Sequence, residues 1–343
     1  MFGAQPCPFQ VHINKHLRAL FPNFSRMSNN KGCIRLTPSM IPKYLNFDDR
    51  DSSFFRKWDE LPSPKDVQAQ AEAQRLVGFN PNPRRDYQSA VPSFVKPQPA
   101  VFADMGLLVN WGRTERISEA QTIFALRRVL YDLVPVPELY GWRTDGDLKY
   151  IYMEYIRGQT LEQAWDDLEP DDKVSISREL RTIWANLRRF EQDPSDPFVG
   201  NIARAPFYDR ALGLDCISAE GPFTTVKEFH DWFTFLCRRW MPDPYSVRIE
   251  PYRYELPDDC AIKFTHGDLH RSNIVIRSCR PYRILAIFDW EQSGWFPAYW
   301  EARKAQYTAW MTEEWTTTYL PMILDMYTDT VEAWGYYTMS IGR

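Results

Sequence analysis

The sequence lacks the features that mark several large classes of protein. Among its 343 residues, no apolar run comes near the roughly 18–20 residues that a membrane-spanning helix needs. Its formal net charge of −4 gives no general attraction to nucleic acid or to an anionic membrane. None of its six cysteines forms a Cys-x-x-Cys pair, so we read them as reduced thiols of a cytoplasmic protein.

Acidic residues are also absent before Asp48, although lysine and arginine occur along that stretch. A basic start without acidic residues is typical of a mitochondrial presequence. A disordered tail, or a start codon upstream of a true start at Met27, would give the same pattern. We expect residues 1–54 to form a partly disordered N-terminal extension.

Residues 55–158 have the pattern of a small, strand-rich lobe. Three segments rich in β-branched and aromatic residues read as strands, and capping-box patterns at Ser63 and Ser118 mark the starts of two helices. The strands are expected at 101–102, 107–112 and 148–156, and the helices at 64–77 and 122–130. Prolines between residues 79 and 100 predict an extended, irregular connection.

From residue 159 onward the pattern becomes helical. A long amphipathic helix opens at Asp171, a further helix spans 226–239, and aromatic-rich helices follow residue 298. The sequence therefore predicts an α+β fold, in which a small N-lobe is followed by a larger, helical C-lobe over residues 159–343.

Residues 265–273 carry the most informative motif in the chain. Its pattern is His266-x-Asp268, four further residues and then Asn273, followed by an apolar run. A second apolar run ends at Asp289, sixteen residues after Asn273. This spacing is typical of a kinase catalytic loop followed by a metal-binding aspartate. Phosphoryl transfer needs such groups because it depends mostly on positioning and charge neutralisation.

Around this motif the sequence resembles the aminoglycoside phosphotransferase and choline kinase branch of the protein-kinase-like fold. The resemblance rests on the motif, on the Phe-Asp-Trp-Glu stretch at 288–291, and on two upstream blocks at 134–141 and 153–161. The pattern of residues 289–301 is similar to that of a large fungal group of these proteins. The resemblance implies a bilobal kinase-like fold and transfer of phosphate from ATP, with Mg²⁺, to a hydroxyl group of a small molecule.

The same resemblance implies roles for the residues of the motif. Asp268 would be the catalytic base that takes the proton of the acceptor hydroxyl. His266 would brace the loop that carries Asp268. Asn273 and Asp289 would be the ligands of Mg²⁺.

On the nucleotide side, the resemblance implies that the backbone from Glu154 to Ile156 takes the adenine edge, with Met153 behind the adenine. One position departs from the family pattern. Asn110 replaces the lysine that holds the ATP phosphates, whereas the glutamate partner of that lysine is present as Glu119. An asparagine carries no charge and cannot replace that contact.

The missing lysine leaves two interpretations open. In the first, which we favour, the chain is an active kinase in which another cation reaches Glu119 or the phosphates. The nearest cations in the sequence are Arg113, Arg116 and Lys149. In the second, the chain is a pseudokinase-type ligand-binding or scaffold protein on the same fold. A protein kinase is disfavoured, because the sequence has no Ala-Pro-Glu segment.

The acceptor is expected to be a small molecule with a hydroxyl group. Aromatic rings and two glutamates after the motif could form a cage that suits a cationic amine through cation–π contact. The candidate cage consists of Trp290, Glu291, Trp295, Tyr299, Trp300 and Glu301. The alternative is that these rings belong to the core of the C-lobe. We read His270 as a loop residue and His230 as an ordinary helix residue.

Overall fold

The computed structural model describes residues 34–80, 97–113, 116–206, 208–212, 220–246, 248, 251–309 and 312–341. The predictions for residues 1–33, including Met27, and for most of the proline-rich connection lie outside the described residues. From Arg35 onward the chain forms one compact unit. The lobe boundaries at residues 54 and 158 stay predictions.

An antiparallel sheet of five strands forms the N-terminal part of this unit. The first six strands are β1 (Ile34–Arg35), β2 (Phe47–Asp48), β3 (Ala100–Phe102), β4 (Leu107–Gly112), β5 (Leu139–Asp145) and β6 (Leu148–Glu154). The order in the sheet is β2-β5-β6-β4-β3. The three predicted strands are present as β3, β4 and β6. Strand β2 comes from within the predicted extension, so the sheet begins earlier in the chain than the sequence indicated.

Two helices, α1 (Pro64–Leu76) and α2 (Ile117–Leu130), cover this sheet. Helix α1 has the predicted capping box, in which the side chain of Ser63 accepts from the N–H of Asp66 and the Asp66 side chain accepts from the N–H of Ser63. The capping box predicted at Ser118 is wrong. The extended residue that precedes α2 is Arg116, so Ser118 already lies in the first turn of the helix.

The C-terminal part is mainly helical. Its helices are α3 (Leu161–Ala164), α4 (Pro170–Leu187), α5 (Val226–Phe235), α6 (Trp300–Tyr307), α7 (Leu320–Ile323) and α8 (Val331–Ser340). The predicted long helix is α4, which buries a face that includes Leu180 and Trp184. Helix α5 ends at Phe235 and continues as a 3-10 turn, Leu236–Arg238. Rings from α5, α6 and α8 form the core of this part of the chain.

Short strands in the C-terminal part carry the predicted motif. They are β7 (Gln159–Thr160), β8 (Phe190–Glu191), β9 (Ile262–Thr265), β10 (Ile274–Ile276), β11 (Ile284–Ile287) and β12 (Gly294–Pro297). Strand β10 pairs with both β11 and β7, and β9 pairs with β12. The motif therefore connects β9 to β10, and Asp289 follows β11 directly.

A small strand-rich part followed by a larger helical part confirms the predicted α+β, bilobal kinase-like fold class. No helix in the described part of the chain combines the length and the apolar character that crossing a membrane requires.

Candidate active site

The loop between β9 and β10 holds Asp268 through its backbone. The N–H of Asp268 donates to His266 Nδ1 over 3.1 Å, and His266 Nε2 lies 2.9 Å from the carbonyl oxygen of Phe288. Because Nδ1 accepts, Nε2 must carry the proton, so the ring is neutral. His266 thus ties the loop to the residue before Asp289, as expected of a bracing residue.

Glu301, at the start of α6, also binds the backbone of this loop. Its two carboxylate oxygens accept from the N–H groups of His266, over 2.8 Å, and Gly267, over 3.3 Å. Gly267 has a φ of +80°, and a Cβ atom there would lie 2.6 Å from the carbonyl oxygen of Gln292. The loop therefore requires glycine at this position. Glu301 is fully buried, so it does not line an acceptor cage, the first of the two interpretations left open for this stretch.

Strand pairing brings the two predicted metal ligands together. The N–H of Phe288 donates to the carbonyl oxygen of Asn273 over 2.8 Å, so Asp289 lies next to the start of β10. The side-chain amide nitrogen of Asn273 donates to the carbonyl oxygen of Asp268 over 2.9 Å, so the amide oxygen is the atom that could bind a metal. An amide oxygen and a carboxylate are hard ligands of the kind that Mg²⁺ prefers.

Asp289 itself has an unusual backbone. Its φ of 64° and ψ of 58° lie in the left-handed region, which non-glycine residues rarely adopt. Aspartate tolerates this conformation better than most residues do, and such conformations concentrate at functional sites. The side chain is only 7% exposed.

Arg210, which belongs to no motif in the sequence, contacts three carboxylates of the site. Its guanidinium lies 2.5 Å from Glu291 Oε1, 3.3 Å from Asp268 Oδ2 and 3.8 Å from Asp289 Oδ2. Burial acts to lower the pKa of Arg210. The charges of Asp289, Glu291 and Asp268 outweigh that effect and raise the pKa above its usual value, so the guanidinium is always charged.

A buried ion pair holds the segment that carries Arg210. Lys304, on α6, pairs with Asp209, and both side chains are at most 1% exposed. Lys304 Nζ also donates to Gln292 Oε1 over 2.9 Å, and the same oxygen accepts from the N–H of Arg210 over 2.8 Å. Trp300 Nε1 donates to the second oxygen of Asp209 over 3.1 Å. Arg210 is thus fixed to the segment that follows Asp289.

Asn110 lies on the same face of the sheet as Met153. Leu107 and Val109 pack in the core beneath α1, so side-chain alternation directs Asn110 to the opposite face. Asn110 pairs with Ile151, and Leu108, two residues earlier, pairs with Met153. The predicted adenine-side residue and Asn110 therefore share one face.

Glu119 lies in the first turn of α2 and is 1% exposed. Thr122, one turn further on, accepts a buried hydrogen bond from Ser293 Oγ over 3.0 Å. Residues three apart lie on one face of a helix, so Glu119 faces the segment that follows Asp289. The helix that carries Glu119 therefore packs on the turn that follows Asp289.

The three cations proposed to replace the lysine differ in their surroundings. Arg113 is exposed, and Lys149 Nζ lies 3.5 Å from the carbonyl oxygen of Asp147. The guanidinium of Arg116 stacks over the ring of Tyr208, 4.1 Å from its centroid. Of the three, only Arg116 therefore contacts a residue close to Arg210, and contact of these cations with phosphate stays a prediction.

The predicted adenine-binding segment follows β6. The N–H of Glu154 donates to the carbonyl oxygen of Glu138 over 2.8 Å, and the N–H of Tyr155 donates to that of Gly106 over 2.9 Å. Met153 is fully buried, whereas Glu154 and Ile156 are partly exposed. These hydrogen bonds therefore tie the segment to the residue before β5 and to the turn between β3 and β4.

The aromatic rings after the motif were open to two interpretations, an acceptor cage or the core of the C-lobe. The four rings Trp290, Trp295, Tyr299 and Trp300 are each at most 1% exposed, so they belong to the core. Glu291, the remaining member, contacts Arg210. An aromatic-rich sequence cannot distinguish core rings from pocket rings, because both patterns contain the same residues.

His270 is a loop residue, as expected. Its Nδ1 accepts from the N–H of Ser272 over 3.2 Å and lies 2.8 Å from Ser272 Oγ, so it caps the turn that leads to Asn273. Burial lowers the pKa of His270.

Comparison with known proteins identifies the family. The chain matches the family described as "Phosphotransferase enzyme family" (APH) over residues 113–338. No curated protein sequence matches the chain. The matched range contains Asp268, Asn273 and Asp289 but not Asn110.

Several solved structures are similar to the chain. An aminoglycoside-3'-phosphotransferase of type VIII has 13% identity and a TM-score of 0.42, and the match covers 68% of this chain and 84% of that one. The streptomycin–ATP–APH(2")-IIa ternary complex has 13% identity and a TM-score of 0.43, with coverages of 80% and 87%. Since the family match spans more than half of the sequence and includes the whole predicted motif, the chain belongs to the phosphotransferase enzyme family.

Proposed function

We propose that this protein transfers the γ-phosphate of ATP, in the presence of Mg²⁺, to a hydroxyl group of a small molecule. The observation that carries the proposal is the fixed backbone around Asp268, next to the carboxylate of Asp289. His266, Glu301 and Asn273 all bind the backbone of this loop rather than its reactive side chain. A loop held in this way supports a base positioned before the substrate arrives.

In this proposal, Asp268 orients the acceptor hydroxyl and takes its proton as the oxygen bonds to phosphorus. Asn273 and Asp289 would hold Mg²⁺, which neutralises charge on the phosphates when bound. Their oxygen ligands suit this ion, and Mg²⁺ usually keeps several waters and substrate oxygens, so few protein ligands suffice. The carbonyl of Glu154 and the N–H of Ile156 would take the adenine edge, with Met153 behind it.

Substitution of the base and of the metal ligand tests this proposal. Asp268→Asn removes the proton acceptor, and Asp289→Ala removes the carboxylate for Mg²⁺. We expect each change to lower turnover at least about 100-fold, the lower range for general-base catalysis. The measurement is phosphate gain, read by mass, in a metabolite pool incubated with MgATP.

Asp329→Ala is the matched control, because Asp329 is an exposed aspartate outside the cleft. Its turnover should equal that of the wild type. Turnover near the wild-type level in Asp268→Asn or Asp289→Ala would rule out the proposed mechanism.

The second candidate is a ligand-binding protein without transfer activity, and the neutral side chain of Asn110 favours it. A ligand that binds only the folded state stabilises it by about 2.7 kcal/mol at about 100 times Kd. Thermal unfolding with and without millimolar MgATP separates the candidates. A rise in midpoint supports a nucleotide site, and an unchanged midpoint supports the pseudokinase.

A further inference from the structure

Arg210 contacts all three carboxylates of a cluster that consists of Asp268, Asp289 and Glu291. The three carboxylates and one guanidinium carry a net charge of −2. Of the three contacts, the one to Glu291 is the shortest, at 2.5 Å, and the one to Asp289 is the longest, at 3.8 Å. Glu291 is therefore the principal partner, and the remaining donors of the guanidinium face the two residues proposed to act in transfer.

The position of Arg210 is built into the fold. Its N–H is bound by Gln292, and its neighbour Asp209 is held by Lys304 in a pair that is buried on both sides. Asp209 also accepts from the N–H of Ala211 over 2.8 Å, which fixes the turn on the other side of Arg210. The side chain of Arg210 is 33% exposed, so it remains accessible from the cleft.

Binding of MgATP would change the charges that Arg210 meets. A divalent cation on Asp289 repels a guanidinium beside the same carboxylate, whereas the phosphates attract it. A guanidinium presents five donors in a planar fork and can bind a phosphate oxygen while it keeps a carboxylate partner. Asn110, at the position where the resemblance implies a lysine, offers the phosphates no positive charge.

We propose that Arg210 binds the γ-phosphate of ATP and supplies the cation that is missing at Asn110. The inference rests on the proposed function. Arg210 keeps Glu291 and exchanges Asp268 for a phosphate oxygen, which frees the Asp268 carboxylate to accept the hydroxyl proton. The acceptor oxygen then bonds to the γ-phosphorus, the bond from phosphorus to the β–γ bridging oxygen breaks, and ADP leaves with that oxygen. Arg210 stabilises the charge on the phosphoryl oxygens and forms no covalent bond.

Nucleotide affinities test this role without relying on turnover. A contact to the γ-phosphate stabilises bound ATP but not bound ADP. In Arg210→Gln, we expect the Kd of a magnesium complex of a non-hydrolysable ATP analogue to rise tenfold or more, on the order expected for one lost charge-assisted hydrogen bond. The Kd of MgADP should stay within about threefold, well below a tenfold loss. Arg210→Lys should fall between the wild type and Arg210→Gln for the ATP analogue.

Arg204→Gln is the matched control, because Arg204 is 34% exposed, lies in the same region and pairs with Asp196 instead. It should bind both nucleotides as the wild type does. Retained MgADP binding also shows that Arg210→Gln is folded.

The outcomes separate this inference from the proposed function. Two results would overturn the inference alone, provided that the wild type binds the ATP analogue. In the first, Arg210→Gln weakens the binding of both nucleotides equally. In the second, Arg210→Gln binds the analogue as tightly as the wild type or more tightly. Tighter binding would mean that Arg210 competes with the nucleotide. Wild type that binds neither nucleotide overturns the proposed function and this inference with it.

Discussion

At the scale of single residues, the position of Asn110 has the clearest consequence for the nucleotide. It shares a face of the sheet with the side chain of Met153, and Glu119 lies in the helix that packs on this part of the sheet. We therefore expect a lysine at position 110 to point towards the side of the sheet on which the nucleotide is proposed to bind.

Asn110→Lys should tighten the binding of MgATP. A charge-assisted hydrogen bond contributes about 1.5–3 kcal/mol, so we expect the Kd to fall by at least about tenfold. Titration calorimetry with MgATP measures the change.

Ser175→Lys serves as the control, since it adds the same charge on an exposed position of α4. Equal effects of the two substitutions would mean that the gain reflects net charge. An unchanged Kd in Asn110→Lys would mean that position 110 does not face phosphate.

The residues proposed to act in transfer could be selected from the sequence because they are close together in it. His266, Asp268 and Asn273 lie within one loop, so their spacing alone suggests their chemistry. Arg210 could not be found in this way. It lies 58 residues from Asp268 in the chain, and only the packing of α6 and the Asp209–Lys304 pair bring the two together.

At the scale of elements, the segment 209–212 depends on α6. Lys304 is the only residue of α6 that donates to both Asp209 and Gln292 among the hydrogen bonds of the described chain. Helix α6 therefore positions this segment. The same helix carries Glu301, which binds the backbone of the loop that holds Asp268. Helix α6 thus holds both the segment that carries Arg210 and the loop that carries Asp268.

Lys304→Met should destabilise the protein strongly. The substitution leaves the carboxylate of Asp209 buried without its charge partner, and breaking a buried pair in this way costs about 3–5 kcal/mol. Urea unfolding, followed by fluorescence, measures the loss.

Lys227→Met is the comparison, because Lys227 forms an exposed pair with Asp231 within α5. Its unfolding midpoint should change little, as is usual for exposed pairs. A similarly small change in Lys304→Met would contradict a buried, paired Asp209.

The two capping boxes show what local patterns can predict about elements. The pattern at Ser63 predicted the start of α1 correctly, because Pro64 fixes the first helical residue directly after it. The pattern at Ser118 failed, because tertiary packing extends α2 back to Ile117. A helix can begin at a capping box or at an earlier residue that also tolerates a helical conformation. The sequence alone does not show which of these two starts is the more stable.

At the scale of the whole molecule, stability should depend on pH through His230. This histidine of α5 is fully buried: Nδ1 lies 2.8 Å from Asp258 Oδ1, and Nε2 lies 2.9 Å from the hydroxyl of Tyr299. It is therefore a hydrogen-bonded core residue. The sequence had indicated only an ordinary residue of a helix. Burial lowers its pKa from 6.5 to about 4.

The free energy of unfolding should therefore fall as pH decreases from about 6.5 to about 4. In this range the unfolded chain binds a proton at His230 that the folded chain does not bind. Over about 2.5 pH units the loss is on the order of 3 kcal/mol. Urea unfolding of the wild type and His230→Gln across this range measures it.

The difference between the two proteins isolates His230, because all other titrating groups are shared. The stability advantage of the wild type should shrink towards pH 4. Parallel curves for the two proteins would mean that His230 binds protons equally in the folded and unfolded states.

The buried set of Asp209, Gln292 and Lys304 also constrains how the sequence can change in evolution. A single substitution at position 209 or 304 leaves a charge buried alone, whereas a paired replacement by neutral side chains does not. Gln292 accepts from both Lys304 and Arg210, so changes there affect two segments at once. Descendants of this chain should therefore change these three positions together, and the segment beside Asp289 cannot diversify independently of the one that carries Arg210.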